Sequence, residues 1–284
     1  MNQSEQLLAK IAGLVLLTVG TTVAVTEMVQ PRRLINGHTA GLLPRGHYEF
    51  ETRVYPSRHD AVDGAGVTFS FGVGITDRLM FGGGYGADGM IGRGTLRGNP
   101  WPGLLFKYRI VEEKYHVPGI AIGFDWQGFG GIEGYQNTEA HYRGYVFKSQ
   151  GAFVALSKNY LLMKSAEFGL HGSVNFSVED LPRIQWPNGV VGFDFGANEE
   201  LAVVVEYDLA LNQRDPAADG DDTGYTNPLK GFLCAGIRWA FAPAFYIEFN
   251  VMDLLENKLR RQNQPSGARV GWSRELKLVY LSNF

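Results

Sequence analysis

The residues whose types and spacing best suit chemistry are His171, Ser173 and Asn175. They stand at i, i+2 and i+4, so on a β-strand a base, a nucleophile and an orienting amide would share one face. The same arrangement also describes the polar lining of a sheet. Three carboxylates, Asp219, Asp221 and Asp222, crowd one loop and offer oxygen ligands for calcium, without EF-hand spacing. Gly82, Gly83 and Gly84 form a glycine run, but no helix or βαβ unit follows to build a phosphate loop. The single cysteine, Cys234, excludes an intramolecular disulfide and a cysteine-based zinc site. Walker and Gly-x-Ser-x-Gly patterns are absent from the sequence. The sequence therefore predicts no catalytic residue, no metal site and no cofactor, and the polar residues take their meaning from the elements that hold them.

Those elements read as strands. Tyr48, Phe50, Thr52 and Val54 alternate with His47, Glu49, Glu51 and Arg53. Val67, Phe69, Phe71, Val73 and Ile75 alternate with small or polar residues, and Leu104, Phe106, Tyr108 and Ile110 face away from Lys107 and Arg109. The same period of two recurs through Ile120–Trp126, Phe168–Phe176, Leu201–Leu209, Ile237–Phe241 and Phe245–Val251. Short turns fall near 76–78, 112–117, 158–166, 197–200 and 242–244; long polar or glycine-rich stretches fall near 56–66, 86–103, 128–150, 179–189, 213–231 and 253–274. Roughly twelve strands with short connections at one end and long ones at the other describe a transmembrane antiparallel up-and-down β-barrel. The fold class is thus all-β, with short periplasmic turns and long extracellular loops.

Composition agrees. The chain has 284 residues, 45% of them hydrophobic, with 37 Gly, 18 Phe and 13 Tyr. Helical membrane proteins carry several apolar runs of about 20 residues; here one apolar run stands out, Ile11–Val25 after Lys10. It reads as a secretory signal peptide over 1–24, followed by a periplasmic N-terminal lead over 25–46 and the barrel over 47–284. A net charge of −3 without a basic block argues against nucleic acid as a partner. Leu276, Leu278, Tyr280 and Phe284 share one face of the last strand, which ends on an aromatic residue, as an outer-membrane insertion signal does. Tyr55, Trp101, Trp126, Tyr160, Trp239 and Tyr246 lie near strand ends, where an interfacial aromatic girdle would sit.

Alternation sends the charged positions inward. The expected lumen lining is Glu49, Glu51, Arg53, Lys107, Arg109, Asp125, His171, Asp194, Glu206, Asp208, Arg238 and Glu248, with Lys158 and Lys277 beside them. Single-sign rings would favour ion selectivity; mixed signs pair and brace the wall or line a weakly selective passage. About twelve strands lie between side-chain-filled small barrels and open porins, so both an open channel and a braced, nearly closed barrel fit.

Several stretches resemble YjbH-like outer-membrane barrel proteins, among them LLPRGHYEFETRVYP (42–56), TDRLMFGGGYG (76–86), NPWPGLLFKYRIVEE (99–113) and RELKLVYLSNF (274–284). The resemblance implies an outer-membrane barrel and a link to exopolysaccharide secretion. The expected function is a non-enzymatic, porin-like passive channel or structural envelope component; the alternative is a subunit of an envelope-spanning secretion assembly. Expected partners are outer-membrane lipid and lipopolysaccharide, the barrel-insertion machinery and envelope proteins.

Overall fold

The computed structural model describes residues 31–56, 64–92, 95–133, 144–162, 166–179, 186–213, 231–257 and 272–284. The expected signal peptide, the first part of the lead and the acidic loop at Asp219 lie outside the described residues. The strands are β1 (His47–Pro56), β2 (Gly64–Thr76), β3 (Leu79–Gly92), β4 (Arg97–Gly98), β5 (Gly103–Val111), β6 (Gly119–Asp125), β7 (Phe129–Glu133) and β8 (Gly144–Phe147). They continue with β9 (Gly151–Leu161), β10 (Glu167–Phe176), β11 (Asn188–Gly196), β12 (Leu201–Asp208), β13 (Phe232–Ala242), β14 (Phe245–Met252) and β15 (Ser273–Asn283).

Twelve of these form a closed antiparallel barrel in the order β1, β2, β3, β5, β6, β9 to β15. Closure comes from β1 against β15, in a register running from His47↔Asn283 to Val54↔Leu276. No edge is left, so the wall satisfies its own backbone where hydrocarbon offers no partner. The two-residue β4 rides on β3, and β7 and β8 form a separate hairpin within the long connection from β6 to β9.

Side chains are inverted relative to a soluble protein. Phe50, Phe69, Phe81, Leu104, Phe106, Leu170, Val174, Ile237, Phe249 and Leu278 are exposed, whereas Glu49, Arg53, Lys107, Asp125, Glu206, Glu248 and Lys277 are buried. A continuous belt of exposed aromatic and aliphatic side chains is untenable in water and suits lipid. Leu276 and Leu278 lie on that belt, and the terminal Phe284 stacks on Tyr48 with ring centroids 5.4 Å apart. Its N–H donates to the Gly46 carbonyl oxygen (3.1 Å), which ties the last residue to the start of β1.

Three expectations change. Residues 31–43, part of the expected periplasmic lead, run inside the barrel, bonded to or packed against inward-facing side chains of the wall. Lys158 faces outward with Val154 and Leu156, because β9 turns Phe153, Ala155 and Ser157 inward. Its ammonium reaches Glu113 at the rim (3.0 Å). Of the expected girdle, Trp101, Tyr160 and Trp239 are exposed, but Tyr55 is 1% exposed inside the barrel and Tyr246 lies beneath the Arg238 guanidinium, 5.5 Å from its ring.

Leu278 lies midway along β15 on the lipid face. An arginine near the bilayer midplane costs about 2–4 kcal/mol. Leu278→Arg should lower folding stability by that amount in urea titration of vesicle-inserted protein.

Candidate functional site

Residues 31–39 make a hairpin. Arg33 bridges His38, Leu34 N–H donates to the Gly37 carbonyl (2.9 Å), and Thr39 N–H donates to the Arg32 carbonyl (3.2 Å). Asn36-Gly37 at the tip is a pair that favours tight turns. Leu34 and Ile35 at that tip are 2% and 0% exposed, packed in a cluster with Tyr55, Phe129, Val204, Phe232, Cys234 and Met252. The returning arm buries Ala40, Leu42 and Leu43 against Met80, Leu105 and Ala121 before the chain enters β1. A Cβ at Gly74 would overlap the Pro44 carbonyl oxygen, so a glycine there lets the arm leave along β2.

The hairpin's polar groups meet wall residues from several strands, among them β1, β5, β6, β9, β12 and β15. Glu206 of β12 accepts on one oxygen the N–H groups of Ile35 (3.0 Å), Asn36 (2.9 Å) and Gly37 (2.9 Å). Convergent backbone N–H groups of this kind form an anion-binding nest. Lys107 of β5 donates to the Arg32 (2.9 Å) and Gly41 (2.7 Å) carbonyls, and Lys277 of β15 donates to the Ile35 carbonyl (2.7 Å). Arg32 pairs with Glu49 of β1; Arg33 (2.7 Å) and His38 (3.0 Å) both meet Asp125 of β6, and His38 stacks on Phe153 at 3.9 Å. Ala40 N–H donates to Ser157 Oγ of β9 (2.7 Å). Buried charges are tolerable only when paired or hydrogen-bonded; here the hairpin supplies the partners.

The remaining expected lining residues build the wall itself. Arg238 pairs with Glu248 (2.5 Å), which also meets Lys277 (3.2 Å), while Arg53 reaches Glu275 (3.4 Å) and Glu51 (3.6 Å). Asp208 accepts from Asn188 Nδ2 (2.7 Å), and Arg109 is partly buried towards the short-turn end. His171 does not bond Ser173; its Nδ1 meets Ser157 Oγ at 2.8 Å and its Nε2 meets Asp194 at 2.5 Å. A serine–imidazole–carboxylate relay is thus present across three strands. Ala40 donates its N–H to the serine oxygen, and Ser157 is 3% exposed, so the relay anchors the hairpin. Asn175 donates to the Gln150 carbonyl (3.0 Å). Among the described residues no group of three His, Cys, Asp or Glu side chains is placed to hold a metal ion.

A second element covers the long-loop end. Phe129 of β7 is 5% exposed, stacks on Phe147 of β8 at 4.7 Å, and lies under the Arg53 guanidinium at 4.3 Å. Glu179 beyond β10 ties this hairpin down, accepting from Ser149 N–H (2.5 Å) and Tyr145 N–H (2.9 Å). Burial raises the Glu179 carboxyl above its ordinary range, against the lowering effect of those donors. Beside Arg32, Arg53, Thr68 and Gln127 there remains a cavity of about 30 Å³, room for about one water.

A closed twelve-strand wall with an apolar exterior and a charged, filled interior belongs in one place. The chain is an outer-membrane β-barrel. No protein-family model matches it, nor does any curated protein. Among solved structures it is similar to the Acinetobacter baumannii outer membrane protein Omp33, at 7% identity and TM-score 0.40, over 84% of this chain and 98% of that one. It is also similar to the KdgM porin (7% identity, TM-score 0.42, 84% and 99% covered) and the NanC porin (10%, 0.40, 84% and 99%).

The site residues that sequence reasoning missed include Ser157 and the hairpin's own Arg32 to His38. An Asn-Gly turn between arginines and a histidine, in a segment with four buried aliphatic residues, is the signal that was available.

Two expectations follow from this geometry. Removing the shared acceptor of three buried amides costs about 3 kcal/mol or more, so Glu206→Ala should speed maleimide labelling of Cys234 by about 100-fold as the hairpin loosens. Cys234 is 2% exposed beneath the tip cluster and is the only cysteine, so an unchanged rate would contradict the anchoring role. Because the folded-state pKa of Glu179 is raised, its protonated form is favoured by folding. Stability from that group is therefore present below the ordinary carboxylate pKa and is lost as pH rises towards the raised value. Thermal unfolding across that window should show a slope in wild type that Glu179→Gln reduces.

Proposed function

We propose that this barrel is a porin-like passive channel for small solutes, held closed by its own N-terminal hairpin. The observation that carries the reading is the placement of residues 31–43 across the lumen, bonded to β1, β5, β6, β9, β12 and β15. Two features favour a removable closure over a solid core. The wall closes through β1 and β15 without help from the hairpin. The hairpin is joined to the wall by side-chain bonds and packing, and among the described residues no strand of the sheet pairs with it. Once emptied, a barrel of about twelve strands would leave an aqueous passage narrower than that of the large porins. Its lining mixes Glu49, Asp125 and Glu206 with Lys107, Arg238 and Lys277, so ions of either sign should pass with little preference.

The likeness of several sequence stretches to YjbH-like proteins supports membership among barrels of that kind. A lumen filled this closely gives a secreted polysaccharide no path while the hairpin is seated, so the channel reading is preferred to a secretion subunit. The exposed Leu276, Leu278 and terminal Phe284 suit recognition by the insertion machinery, and the apolar belt suits outer-membrane lipid and lipopolysaccharide.

Planar-bilayer recording tests the channel directly. The full chain should stay near leak level, and the double variant Glu206→Ala, Lys107→Ala should show discrete, weakly selective openings. Leak-level current from a folded double variant would overturn the reading.

A further inference from the structure

Seven of the bonds that seat the hairpin are directed at its main chain, beside the side-chain pairs made by Arg32, Arg33 and His38. Ile35, Asn36 and Gly37 give their N–H groups to Glu206, and Ala40 gives its N–H to Ser157. Lys107 takes the carbonyls of Arg32 and Gly41, and Lys277 takes that of Ile35. Main-chain groups are common to every polypeptide, whereas side-chain contacts identify one. We infer that the inner wall is a peptide-binding site: with its own hairpin displaced, the lumen takes a second polypeptide, a turn-forming segment with basic residues on its leading arm.

This rests on the reading that the hairpin can leave. The ligand class follows from the groups that would be left behind. Glu206 is 0% exposed and has no cationic side chain bonded to it among the described residues; its second oxygen has no hydrogen-bond partner. A carboxylate held by three successive amides suits a tight turn of peptide, whereas a saccharide hydroxyl offers one donor at a time. Lys107 and Lys277 are both buried and aim their ammonium groups at carbonyl oxygens. Glu49 and Asp125 lie where they meet Arg32 and Arg33, which sets the preference for basic residues before the turn. The cup of Tyr55, Val204, Cys234 and Met252 takes two apolar residues at the tip.

The test leaves the wall intact and disables the hairpin from within. Ile35→Asp places a carboxylate in the apolar cup, and Gly37→Phe drives a ring at Val190, whose Cγ1 would stand 2.6 Å from a Cβ at that position. A fluorescent synthetic peptide of the sequence 31–43 is then titrated against the full-length double variant in nanodiscs and followed by anisotropy. Saturable binding is expected, with little binding to wild type, where the tethered hairpin competes. A peptide N-methylated at the three residues 35–37 keeps every side chain but loses the donors to Glu206, and should bind about tenfold more weakly or worse. Adding Glu206→Ala to the double variant should have the same effect. Equal binding of the N-methylated peptide, or no binding of the parent peptide, overturns the inference. Conductance of the same preparation separates the two ideas. Open channels that ignore the peptide contradict the binding site and leave the channel standing; peptide binding without conductance contradicts the channel and leaves the site standing. Heat-modifiable gel mobility reports folding, and the single variant Ile35→Asp serves the same titration where the double variant does not fold.

Discussion

Deep inside the barrel, one oxygen of Glu206 accepts the N–H groups of Ile35, Asn36 and Gly37. A carboxylate removed from water is costly unless hydrogen bonds or charges replace its hydration. Three amides at one oxygen do so, and they can converge only because the hairpin turns there. The turn in turn buries Leu34 and Ile35 beneath Phe129 and Phe232, which joins the hairpin rising from the short-turn end to the covering at the long-loop end. Lys107, Lys277 and Asp125 are likewise buried and bonded to the hairpin, Lys277 also meeting Glu248 of the wall.

The wall and its contents are therefore stabilised by different physics. Outside, the strands pair with one another and present apolar side chains to lipid, which holds whether or not the lumen is filled. Inside, stability depends on satisfying charge. Pairs within the wall, such as Arg238 with Glu248, need nothing further, whereas Glu206 and Lys107 depend on a visiting segment. That separation allows the contents to move without unfolding the barrel. The Ser157–His171–Asp194 relay belongs to the second set, because its outer end holds the Ala40 amide.

The architecture was legible in the sequence because lipid imposes period two on every strand. Phe50 against Glu49, Phe106 against Lys107 and Leu278 against Lys277 each declare the two faces. Strand register is not written that way. Ser157 meets His171 because β9 and β10 pair them, and the candidate trio His171, Ser173 and Asn175 was assembled along one strand where the bonds run across three. Lys158 was misassigned because Phe153 and Val154 blur the alternation at the start of β9. The placement of residues 31–43 is hidden in the sequence for a different reason. Pro31, Pro44 and three glycines resemble a linker, and a segment buried among polar groups has no periodicity to display; its Asn-Gly turn and buried Leu34, Ile35, Leu42 and Leu43 become meaningful only once the wall around them is known.

Amide hydrogen exchange over residues 31–43, in the full-length protein reconstituted in lipid, tests the central claim most directly. Amides bonded inside a closed lumen exchange only when the hairpin opens. Protection of Ile35, Asn36, Gly37 and Ala40 comparable to that of the neighbouring strands is the predicted result. Exchange of these four at the rate of an unstructured peptide, with the strands still protected, would contradict it.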